Sequence, residues 1–89
     1  MLVFAKVDDL SGQGDIYLIK GIIYLEIGEN SKALEMYDKA IKFFKIAADI
    51  QSESTALHGK AKVLAKLEKN DEAMGLFEKA IAKLEKVRT

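Results

Sequence analysis

The sequence predicts an all-α protein, about five antiparallel helices in a single domain spanning residues 1–89. Three observations carry this. Apolar residues recur at three- and four-residue spacing along most of the chain, and no segment sustains the alternation of a strand. There is no proline among the 89 residues, so nothing in the composition interrupts long helices. The chain also matches itself at a shift of forty residues. Lys20 falls on Lys60, Asn30 on Asn70, Ala33 on Ala73, Tyr37 on Phe77, and Lys39-Ala40-Ile41 on Lys79-Ala80-Ile81. A period of that size belongs to stacked helical hairpins, none of which buries its apolar face alone.

Taken in order, residues 2–10 place Leu2, Val3, Phe4, Val7 and Leu10 on one helical face. The forty-residue shift sets Val3-Phe4 on Phe43-Phe44, so this segment reads as a partial leading helix. Ser11-Gly12-Gln13-Gly14-Asp15 predicts a break, with two glycines acting as a hinge and an acid to cap the next helix. The second helix, 16–27, is almost wholly apolar and must be covered on most sides. Gly28 supplies the left-handed residue that ends it. A third helix, capped by Asn30 or Ser31, carries Ala33, Leu34, Tyr37, Ala40, Ile41, Phe44 and Ala48 on one face. It is expected to run until the polar Gln51-Ser52-Glu53-Ser54. A fourth spans about 53–67, with Ala56, Leu57, Ala61, Leu64, Ala65 and Leu67 inward. After Glu68-Lys69-Asn70-Asp71, a fifth turns Ala73, Leu76, Phe77, Ala80, Ile81, Leu84 and Val87 to the core.

Residues 15–50 carry an aromatic, a small residue four on, an aromatic three later, a turn glycine, then alanine, aromatic and alanine on the next helix. These are Tyr17, Gly21, Tyr24, Gly28, Ala33, Tyr37 and Ala40. The pattern resembles the tetratricopeptide repeat. A second, degenerate copy over 54–87 keeps Ala73, Phe77 and Ala80 but has Leu57, Ala61, Leu64 and Glu68 on its first helix. The resemblance implies stacked α-α hairpins of a forty-residue variant that lacks the family's closing proline. It implies a non-catalytic scaffold for protein binding. An ordinary helical bundle with coincidental spacing is the competing architecture.

Composition narrows the function classes. Fourteen basic residues balance fourteen acidic ones, and Arg88 is the only arginine, which argues against a nucleic-acid partner. Residues 1–10 lack the basic leader and long apolar run of a signal peptide. Residues 16–27 are too short to span a membrane and contain Lys20 and Glu26. With no cysteine, a cytoplasmic location is expected. His58 is the only histidine. Ser54 and Thr55 lie four and three residues before it, but nothing nearby supplies an oxyanion hole, so no catalytic residue is assigned. Neither a metal site nor a cofactor site is expected. Asp8, Asp9 and Asp15 do not fit a calcium-loop pattern, and Gly12 and Gly14 lack the context of a phosphate loop.

The resemblance implies that the first helix of each repeat lines a groove. In the first repeat this selects Leu18, Ile22 and Leu25, with Glu26 at the edge. In the second it selects His58, Lys62 and Ala65, with Lys66 at the edge. The candidate partner-binding residues are thus Leu18, Ile22, Leu25, His58, Lys62 and Lys66. They describe a groove apolar at one end and basic at the other, suited to an acidic or amphipathic peptide or helix. A solvated helix face is the plainer reading of the basic residues. Some family members clamp a C-terminal carboxylate with Lys and Asn at places that here hold Leu18 and Ile22, which argues against that clamp. Leu18, Ile22 and Leu25 have a plainer reading too, as residues covered by the chain's first helix or by a second copy. Met74 and Leu76 widen the apolar arc of the last helix, and from this a homodimer is expected. The alternative function is therefore a self-associating module with no separate ligand.

Overall fold

The computed structural model describes the backbone of residues 2–88 and the side chains of residues 9–86. Among these residues there are four helices and no strand: α1 (Leu2–Glu26), α2 (Asn30–Ile46), α3 (Ile50–Lys66) and α4 (Asn70–Arg88). Each packs antiparallel on the next, and α1 meets α3 only along a narrow line. The array measures 46 × 31 × 14 Å, little thicker than one helix layer with its side chains, so every helix retains an open face.

The leading helix and the 16–27 helix are one. Gly12 and Gly14 cost α1 about 1 kcal/mol each in propensity, yet the helix runs through both. Packing explains this at Gly14, which is buried under the Phe44 ring. A Cβ there would stand 2.6 Å from Phe44 Cε1, so Gly14 is a seat for an aromatic and not a hinge. Ser11 donates a hydrogen bond to Asp49 Oδ2 at 3.3 Å, fixing the same stretch to the start of α3.

The boundary between α2 and α3 also falls earlier than its polar run suggests. Asp49 is the N-cap of α3 and accepts from the Ser52 backbone N–H at 3.2 Å. Gln51-Ser52-Glu53-Ser54 is therefore the first turn of a helix, and Glu53 and Ser54 are buried. Glu53 Oε2 faces Lys83 Nζ of α4 at 3.4 Å. The N-cap of α2 is Glu29 without a side-chain cap bond, in place of Asn30 or Ser31.

The three joints have one geometry. At residues 27–29, 47–49 and 67–69 the middle residue is left-handed: Gly28 at φ 84, Ala48 at φ 58 and Glu68 at φ 63. Its N–H and the next bond back to the preceding helix, Gly28 to Leu25 O and Glu29 to Tyr24 O in the first case. The same pair recurs from Ala48 and Asp49 and from Glu68 and Lys69. These are Schellman closures, and they repeat every twenty residues.

The core keeps the small-and-aromatic pattern. Ala33, Ala40, Ala56, Ala61, Ala73 and Ala80 are all buried and bring the helices close. Phe44 joins Ala40, Ile41, Ala56, Leu57 and Ala80 in one cluster, and Tyr37 joins Leu25, Ala33 and Val63 in a second. A third, of Ala61, Leu64 and Ala73, ties α3 to α4. Ile81 and Leu84 were expected inside but are exposed. Their forty-residue counterparts, Ile41 and Phe44, are buried, because α3 stacks on α2 and none of the described helices stacks on the outer side of α4. Leu76 packs against two core clusters, which leaves Met74 as the exposed member of the pair expected to widen that arc.

Candidate protein-binding face

The face is built on Tyr37. Its ring projects from α2 between α1 and α3, and two glycines make room for it. A Cβ on Gly21 of α1 would approach the ring to 3.1 Å, and one on Gly59 of α3 to 2.4 Å. The ring is thus held on both flanks by backbone. Burial raises the Tyr37 phenol pKa above the ordinary tyrosine value, and the nearby Glu26 carboxylate raises it further.

On this spacer α1 and α3 lie side by side and enclose a shallow cleft of about 180 Å³. Leu18 and Ile22 line it from α1, and Thr55, His58, Gly59 and Lys62 from α3, with Tyr37 at the floor. Four of the six residues selected from the sequence therefore share one cleft. Ile22, His58 and Lys62 are exposed and Leu18 is half-buried.

Leu25 does not belong with them. Seven residues beyond Leu18 it lies on nearly the same side of α1, but at that level Ala33 and Tyr37 of α2 and Val63 of α3 cover it, and it is buried. Lys66 is exposed one turn past Lys62, outside the cleft lining. Sequence reasoning missed Thr55, Gly59 and Tyr37 at this place. A glycine inside a helical pattern, as in Leu57-His58-Gly59-Lys60, was the available signal for Gly59, since such a residue admits a close neighbour.

His58 also borders a larger, mainly apolar cleft of about 420 Å³ between α3 and α4, with Ser54, Thr55, Phe77, Ala80, Ile81 and Leu84. Its ring lies 5.1 Å from that of Phe77 in a tilted contact. Thr55 Oγ1 donates to Gln51 O at 3.1 Å, and Ser54 Oγ is buried with no hydrogen-bond partner. Neither hydroxyl is coupled to the imidazole, so the geometry is one of surface contact.

The remaining aromatics brace the first hairpin. Tyr17 stacks on Phe43 with ring centroids 5.7 Å apart, and the ammonium groups of Lys20 and Lys39 lie over the Tyr17 ring. Tyr17, Gly21, Tyr24, Gly28, Ala33, Tyr37 and Ala40 all fall within residues 14–45, the span that matches the tetratricopeptide repeat family model. Over that span the chain is similar to a tetratricopeptide repeat. Its alanines and Gly21 set the helix approach, its tyrosines fill the gaps and Gly28 closes the hairpin. Tetratricopeptide repeats generally mediate protein–protein interaction. No curated protein and no solved structure matches the chain.

Proposed function

We propose that the chain is a non-catalytic protein-interaction module that takes an amphipathic peptide or helix across the face of α1 and α3. The observation that carries this is the convergence of Leu18, Ile22, His58 and Lys62 on one cleft. Leu18 and Ile22 offer apolar contact, and Lys62 and Lys66 extend a basic edge along α3, so the fitting segment pairs apolar side chains with acids. In this reading α3 and α4 form a second, diverged repeat of the same family in a forty-residue variant. The cysteine-free composition fits a cytoplasmic module.

Peptide display tests this. Sequences enriched on the chain are expected to carry Asp or Glu beside apolar residues. Their affinity should fall roughly tenfold or more in Lys62→Glu/Lys66→Glu, with helicity unchanged. Binders indifferent both to that pair and to Ile22→Lys would overturn the assignment.

A further inference from the structure

The outer side of α1 is a row of isoleucines. Ile16, Ile19, Ile23 and Ile27 are 53%, 55%, 53% and 65% exposed. At about 100° per residue they fall in one arc, across the helix from Gly14, Gly21 and Leu25, which face α2. In the second hairpin the positions of Ile16, Ile19 and Ile23 hold Ala56, Gly59 and Val63, which are buried, while that of Ile27 holds Leu67, which is exposed. The arc is thus a stacking face, occupied on α3 and open on α1.

Residue sizes limit what fits it. Were α4 of another copy to stack on α1 as α2 stacks on α3, Phe77 would meet Ile19 where Tyr37 meets Gly59. A single Cβ at Gly59 would already come within 2.4 Å of Tyr37, so a full isoleucine side chain does not fit that geometry. The isoleucines suit each other better. Gly12, Ile16, Ile19 and Ile23 are spaced four, three and four apart, as at the seam positions of a coiled coil. Asp15 flanks the seam on one side and Lys20 on the other, both exposed. They are five residues apart, the separation at which opposite flanks of two parallel helices meet. An antiparallel pair would instead bring Lys20 toward its own copy.

We propose that a second copy of this chain docks on the isoleucine face of α1 in parallel, with Ile16, Ile19 and Ile23 along the seam and Asp15 of each copy facing Lys20 of the partner subunit. This gives the self-association expected from the sequence a definite surface, distinct from the cleft lined by Leu18 and Ile22. The two proposals therefore fail separately.

Sedimentation equilibrium of the full chain at micromolar concentration is expected to give twice the 9.9 kDa monomer mass. Ile19→Lys should yield a monomer of unchanged helicity, since the position is exposed. Asp15→Lys or Lys20→Asp alone should each weaken the dimer by roughly tenfold or more, and the double exchange should restore it. The chain has no native cysteine, so Ile16→Cys should form a disulfide-linked dimer with itself on mild oxidation. A monomeric wild type would overturn the proposal. So would a dimer insensitive to Ile19→Lys, or one in which Ile16→Cys links only to Ile23→Cys.

Discussion

Replacing Gly59 by alanine measures how firmly Tyr37 sets the spacing of α1 and α3. The added Cβ would stand 2.4 Å from Cε1, 2.6 Å from Cζ and 2.9 Å from Oη of the ring. The ring is 2% exposed and is flanked on its other side by Gly21, where even an added Cβ would stand only 3.1 Å from it, so it has little room to retreat. Overpacking of this kind costs about 1–3 kcal/mol, and three side-chain atoms under 3 Å place the cost near 3. Against it stands the helix-propensity gain of Gly→Ala, about 1 kcal/mol. Gly75→Ala isolates the packing cost, because Gly75 is exposed on α4 with no atom within 4 Å of an added Cβ. It takes the same gain without the clash. Urea unfolding should show Gly75→Ala stabilised by about 1 kcal/mol and Gly59→Ala destabilised by about 2. In melting temperature that separation is on the order of 12–24 °C for a domain of this size. If Gly59→Ala proves as stable as Gly75→Ala, Tyr37 is not the spacer described.

The same geometry sets two further outcomes. The Tyr37 phenol is held neutral by burial and by Glu26, so its folded pKa lies above the unfolded value of 10.0. That contribution to stability is complete below pH 10.0 and is lost as the pH rises through the raised pKa; Tyr37→Phe should flatten the alkaline limb of a stability–pH profile. Ala48→Gly and Glu68→Gly relieve left-handed strain of about 1–2 kcal/mol, offset by about 0.5–1 of added unfolded-chain entropy, so each should raise stability by roughly 0.5–1 kcal/mol in thermal or urea unfolding. Gly28→Ala should do the reverse.

The helical class and the hairpin spacing were legible in the sequence because they rest on periodicity, which is local. Tyr37, Ala33 and Ala40 declared themselves as core in the same way. The hidden features depended on distant partners. Ser11 to Asp15 reads as a break until Phe44 is known to lie on Gly14. The polar run from Gln51 to Ser54 reads as a linker until Lys83 is found beside Glu53. Ile81 reads as core because its periodic place is right; whether a helix lies outside it is not encoded in that helix. The cleft was partly legible. Leu18, Ile22, His58 and Lys62 are given by the repeat register, whereas Leu25, nearly in line with Leu18 on α1, is covered by Ala33, Tyr37 and Val63, partners on other helices that spacing along α1 does not reveal.

The twenty-residue recurrence of the joints bears on how such a chain changes length. Each joint is closed by the same backbone bonds, and two of the three tolerate a residue other than glycine at the left-handed position. A duplication of forty residues, begun at any joint, would meet an equivalent joint at its far end and return every helix to its original facing. A duplication of twenty would set two like helices in succession and reverse the facing of every later helix. The fold can therefore grow or shrink by whole hairpins without redesign of a turn, while its interior resists the half step.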